Sequence, residues 1–218
     1  MTLRRAGATK ALIALNVIVF VWEVLSGTNF GSAPSLLAHG ALYGPLVRQG
    51  EWWRILSGAF EHAGLLHIAF NMFALYQLGM FVEGVLGARR MLAIYAISLF
   101  ASGYAVVVFS PAAVTVGASG AIFGLFGALL AIGVRLGKRG RGLIAQTIPI
   151  LLINLVFTFA VPFISKSGHL GGLLAGFCAG LLVFMTRPPA RPLVGVVDAA
   201  TGEAADAELL PPEGRRGA

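Results

Sequence analysis

Six stretches of this chain, residues 10 to 26, 65 to 83, 91 to 109, 117 to 135, 142 to 161 and 168 to 186, stay apolar long enough to cross a lipid bilayer. A helix needs roughly 20 apolar residues for a crossing, with a workable range of about 17 to 25. Inside hydrocarbon every backbone N–H and C=O must find a partner within the protein, so spans of this kind are helices. The expected fold is therefore all-α, a polytopic membrane bundle. Composition agrees, since 57% hydrophobic and 11% charged residues with a mean hydropathy of +0.85 lie far outside the balance of a water-soluble domain. A formal charge of +7 would suit nucleic acid only if the cations shared a surface. They sit instead in short clusters between apolar runs, so the expected partner is the bilayer and not a nucleic acid. Cys178 is the single cysteine, which excludes a disulfide within one chain, and its apolar surroundings predict a small packing residue.

The basic start "MTLRRAGATK" resembles a signal peptide, but no small-residue cleavage site follows before Trp22 and Glu23, so a retained first helix is expected. With residues 1–9 in the cytoplasm, most of the 16 Lys and Arg collect on that side, and only Arg48, Arg54 and Lys166 fall opposite. Both termini are then expected in the cytoplasm. The six-helix domain runs from 10 to 186, and 187 to 218, rich in Pro, Ala and charge, reads as a disordered tail. The long connection 27 to 64 carries Trp52, Trp53 and Arg54, residue types suited to the headgroup layer.

Glycine spacing brings two distant residues together. Gly168, Gly172, Gly176 and Gly180 recur every four residues on the sixth span, and Gly120 and Gly124 on the fourth, faces that allow helix backbones to approach closely. Both spans run inward from the outer side in this orientation. Ser119 beside Gly120 and His169 beside Gly168 would then meet at similar depth near the outer leaflet. A hydroxyl at a helix start has unpaired N–H groups and a positive dipole end nearby, and a neutral imidazole in reach can take its proton and pass it to a leaving amine. The competing reading of Ser119 is a helix-packing or capping residue. His67 and Asn71, four apart, share one helix face and could donate to an oxyanion, or could simply hold two helices together. Glu61, His62 and His67 offer metal-ligand types, but His62 and His67 are five apart and leave a common face. The only aspartates, Asp198 and Asp206, lie in the tail, which excludes an intramembrane aspartyl protease and leaves a serine–histidine pair with no acid behind it.

Taken in order, "WR" at 53–54, "HIAFN" at 67–71, "GMFVEGVLG" at 79–87, "SGY" at 102–104, "GASG" at 117–120 and "GHLGG" at 168–172 resemble the rhomboid family of intramembrane serine proteases over roughly residues 10 to 186. The resemblance implies a six-helix rhomboid bundle with a water-filled active-site cavity, Ser119 as nucleophile and His169 as general base. It implies His67, Asn71 and the Ser119 backbone N–H as the oxyanion hole, structural roles for Arg54 and Glu83, and a ring at Phe123 stacked on the base. Gly117 and Gly120 would leave room for a substrate strand, and Gly168 and Gly172 for helix contact. Residues 110 to 116 would dip toward the serine, 163 to 168 would cap the cavity, and the fifth helix would gate it laterally. No cofactor and no metal is implied. The substrates would be single-pass transmembrane proteins, cut near the outer end of their helices, and the setting a bacterial inner membrane. Two rival readings are a rhomboid-like pseudoenzyme that binds clients without cutting them, and a channel or carrier lined by Glu23, Gln77, Glu83 and Asn154. An intact serine, base and oxyanion pair opposes the first; the lack of repeated halves opposes the second.

Overall fold

The computed structural model describes residues 7–186. The expected tail, and the expected N-terminal segment up to residue 6, lie outside the described residues. Six long helices and three short ones make up the fold: α1 Gly7–Leu25, α2 Ala33–His39, α3 Gly44–Arg48, α4 Arg54–Ser57, α5 Leu65–Leu86, α6 Ala88–Phe109, α7 Ser119–Leu136, α8 Arg141–Ala160 and α9 Lys166–Thr186. Among the described residues the only β pairing is an isolated bridge between Leu42 and Thr115. Five stretches are long and apolar enough to cross a membrane, and one of them, Ser119–Ala160, is 42 residues long and contains both α7 and α8.

The core is α7. Its buried positions run unbroken from Gly120 to Leu129, whereas α1, α5, α6 and α8 each bury one face. Their other faces carry Ile18, Phe70, Phe73, Phe109 and Val156, all more than half exposed. In water such a surface would aggregate; against lipid tails it is the expected exterior. Cys178 belongs to this exterior as well. The packing role expected for it is corrected: four-residue spacing assigns Gly172, Gly176 and Gly180 to the inner face of α9, and Cys178 falls between them on the outside.

Lipid tails are as apolar as leucine, so burial does not drive these helices together, and close backbone packing carries more of the association. A Cβ on Gly172 would strike the Gly120 carbonyl, and one on Gly176 the Gly124 carbonyl. On its other side, α7 lays Gly120 and Gly124 against Ser102 and Ser98 of α6.

α1 is already helical at Gly7, three residues before the apolar run suggests, and a carboxylate from α5 satisfies its first described turn. Glu83 accepts the N–H groups of Ala8 (3.1 Å) and Thr9 (2.7 Å) and the Thr9 hydroxyl (2.7 Å). The start expected at residue 10 thus falls inside the first turn of α1. α7 begins two residues late, at Ser119, because Gly117 takes φ +113°, outside helical geometry. α9 begins early, at Lys166, so the expected cap 163 to 168 keeps only its first three residues as loop.

Candidate active site

The long first connection holds the approach to α7. Arg54, almost fully buried, donates to the carbonyls of Leu37 (2.9 Å) and Ala41 (3.1 Å) and pairs with Glu51 at 2.6 Å, while its guanidinium lies over the Trp53 ring. The connection then grips the segment after α6. Gly44 N–H donates to Pro111 O, Leu42 and Thr115 exchange two bonds of 3.0 and 2.9 Å, and Gly117 N–H donates to Gly58 O at 2.8 Å. Gly117 must also be glycine for space, since a Cβ there would sit 2.7 Å from His67 Cε1. These ties deliver Ser119 to the first position of α7. The N-cap, Ala118, contributes no side-chain bond, so the first-turn N–H groups have no side-chain partner.

His169 comes from the first turn of α9. Its Nε2 lies 2.8 Å from Ser119 Oγ, and its ring stacks on Phe123 at 4.1 Å with planes 17° apart. The close approach of α7 and α9 at Gly120 and Gly172 sets this distance, because each residue lies within a few positions of that contact. Gly168 packs beside them against Ser165 and Ser102. An imidazole nitrogen at 2.8 Å can take the serine proton directly.

His67 lies on α5 against Gly117, at the approach to α7, and Asn71 follows one turn later on the same helix. The Ala63 N–H donates to His67 Nδ1 at 3.2 Å, so that nitrogen is an acceptor and the neutral ring carries its proton on Nε2, the edge facing Gly117. Asn71 donates one amide hydrogen to the His67 carbonyl at 2.9 Å and keeps a second. His67 thus brings one N–H to the approach of α7, whose first-turn N–H groups are open, and Asn71 carries a free amide hydrogen one turn further along α5. A cavity of about 30 Å³, room for a water or two, is walled by Gly58, Ser102, Thr115, Gly117 and Gly120, among others. Ser119 and His169 are not among its walls; it lies on the first-connection side of α7.

One residue beside the base escapes the sequence reading, and a cluster read there as metal-ligand types takes a different form. Thr158 of α8, 1% exposed, sets its Oγ1 2.8 Å from His169 Nδ1. Its only signal is a hydroxyl four residues after Asn154 in an apolar helix. Behind His67, the fully buried Glu23, Glu61 and His62 form a polar knot. Glu23 accepts the His62 N–H at 3.4 Å, and the His62 ring meets that of His67 edge-on at 5.2 Å. Burial, helped by the negative charge of Glu23 and opposed by Arg54, pushes the Glu61 carboxyl up to about 8. Burial, with His67 adding to it, pulls His62 down to about 3, so both groups are neutral near pH 7. Among the described residues no three His, Cys, Asp or Glu side chains converge closely enough to hold a metal ion.

Comparison with known proteins places the chain. Residues 49–186 match the Rhomboid domain family. The chain is 42% identical over 172 residues to Rhomboid protease GluP of Bacillus subtilis, covering 78% of this chain and 34% of that protein. It is 37% identical over 172 residues to RHOMBOID-like protein 5 of Arabidopsis thaliana (77% and 54%), and 35% identical over 185 residues to Rhomboid-like protease 1 of Toxoplasma gondii (79% and 63%). It thus spans between a third and just under two thirds of the length of these relatives. The matched segment runs from the connection that Arg54 holds, through Ser119, to the end of α9, and on that correspondence this chain belongs to the rhomboid family.

Proposed function

We propose that this protein is an intramembrane serine endopeptidase that cuts single-pass transmembrane proteins near the extracytoplasmic ends of their helices. The observation that carries the reading is the 2.8 Å contact between Ser119 Oγ and His169 Nε2, made by residues 50 apart in sequence. Ser119 Oγ attacks the scissile carbonyl carbon as His169 Nε2 takes its proton. The resulting oxyanion is held by His67 Nε2–H, the free Asn71 amide hydrogen and the N–H of Ser119. On collapse the C–N bond breaks and Nε2 gives its proton to the departing amine. Water, deprotonated by the same nitrogen, then attacks the acyl-enzyme, releasing a carboxylic acid and restoring Ser119. Water for this second step reaches the serine through a cavity open to the outer side, with Gly117 and Gly120 leaving room for the substrate strand.

Six crossings fit the helices better than five. A single helix of 42 residues would be roughly 63 Å long, twice the hydrocarbon thickness, and the chain turns at Gly137–Gly140. Both termini are then cytoplasmic, with Lys138, Arg139 and Arg141 at the inner turn between α7 and α8. A bacterial inner membrane suits this arrangement. The test is cleavage of tagged single-span proteins in proteoliposomes, with a fluorophosphonate probe alongside. Wild type should cut and label; Ser119→Ala should do neither, and His169→Ala should label at least about 100-fold more slowly. Cleavage that persists in Ser119→Ala overturns the proposal.

A further inference from the structure

We propose that Thr158 is a positioning residue that fixes the tautomer of His169 and so orients the base toward Ser119. The inference rests on His169 being the base and assigns what orients it. A threonine hydroxyl has one proton to give. Thr158 Oγ1 lies 2.7 Å from the Asn154 carbonyl oxygen and 2.8 Å from His169 Nδ1. The carbonyl can only accept, and a hydroxyl that gives its proton to Asn154 turns a lone pair to Nδ1, which then carries the ring hydrogen. A neutral ring protonated on Nδ1 has its free lone pair on Nε2, the nitrogen 2.8 Å from Ser119 Oγ. The opposite tautomer would present an N–H to the serine and block the transfer. It would also draw the Thr158 proton away from Asn154.

The arrangement persists through the proton transfer. Once Nε2 has taken the serine proton both ring nitrogens are donors, and Nδ1–H already has its acceptor. Thr158 is 1% exposed, so water does not compete for the bond. A hydroxyl orients the ring without placing a second charge at membrane depth, where an unpaired carboxylate is costly. The acceptor also belongs to a different helix from the base. The outer end of α8 turns Val156, Phe157 and Phe159 outward and reaches His169 through Thr158, so moving that end away from α9 withdraws the acceptor and leaves the ring held only by Phe123 and Ser119.

The test uses the full-length protein in proteoliposomes with a tagged single-span substrate. Thr158→Val, close in shape, should lower kcat about 10- to 100-fold with KM changed less than about two-fold, as loss of a ligand-orienting partner does elsewhere. Thr158→Ser should recover most of the rate. Nitrogen-15 NMR of histidine-labelled wild type, assigned against His169→Gln, should show His169 protonated on Nδ1, and Thr158→Val should populate both tautomers. Wild-type kcat in Thr158→Val, equal losses in the Val and Ser variants, or an Nε2–H tautomer in wild type would each overturn this role. The wild-type spectrum keeps the test decisive if Thr158→Val does not fold. Cleavage surviving in Ser119→Ala would instead remove the protease reading itself, so the two failures are separate.

Discussion

The contact of α7 with α9 and the seat of α1 on α5 hold helices by opposite means. Between α7 and α9 glycines remove side chains, so Gly172 and Gly176 meet the carbonyls of Gly120 and Gly124 directly and attraction is spread along the seam. α1 buries only Thr9, Asn16 and Glu23, all polar. It is fastened at its start by Glu83 and at its end by the contact of Glu23 with His62. The first means fixes the separation of two backbones along a continuous seam, and that is where the Ser119–His169 contact lies. The second is a set of point attachments, sensitive to protonation and tolerant of small shifts along the helix.

The sharpest way to break this contrast is to restore a side chain in the seam. Gly176→Leu should destabilise the protein by more than about 3 kcal/mol, since its Cβ meets backbone that cannot rotate aside. Thermal unfolding in detergent reads this, and an unchanged midpoint would show that the seam does not set the packing. Removing the cap on α1 should cost less. Glu83→Ala leaves two N–H groups and a hydroxyl without their acceptor, a loss of about 1 to 2 kcal/mol by the precedent of helix caps. Proteolysis near the start of α1 should rise while fluorophosphonate labelling stays within about three-fold of wild type, because the serine is fixed elsewhere; abolished labelling would contradict the division.

The last test concerns pH. Glu61 has a folded value near 8 against an ordinary value of 4.5, so the folded state holds a proton that the unfolded state releases. Its favourable contribution is complete below about 4.5 and fades as pH rises toward 8. His62, drawn from 6.5 to about 3, acts with the opposite sign, and its contribution fades as pH falls through that range. Glu61→Gln should therefore flatten the decline in melting temperature between pH 6.5 and 8 and leave the acid limb in place. A decline as steep as in wild type would show that this carboxyl does not couple the knot to folding.

What sequence could show follows the same division. Apolar length marks helices wherever it is continuous, and glycine spacing carries the α7–α9 contact because an every-fourth-residue pattern has one geometric meaning. Ser119, His169, His67 and Asn71 stand out as candidates because hydroxyl, imidazole and amide groups contrast with leucine and alanine, and of these the structure brings Ser119 and His169 into contact. Thr158 is not, since threonine is common in membrane helices and only the fold turns it toward His169. Glu83 stands out by its charge, yet the helix it caps lies 74 residues earlier and leaves no local mark. Cys178 misleads for the converse reason: an apolar run does not say which of its faces meets lipid.

The Glu83 cap also bears on how the molecule is made. α1 leaves the ribosome before α5, so the carboxylate that closes its first turn follows 74 residues later, at the far end of α5. Until then the Ala8 and Thr9 amides must be satisfied by headgroups or water, which holds the nascent start of α1 at the membrane boundary. Arrival of α5 lets the first helix settle, so its final placement waits on a helix synthesised after it.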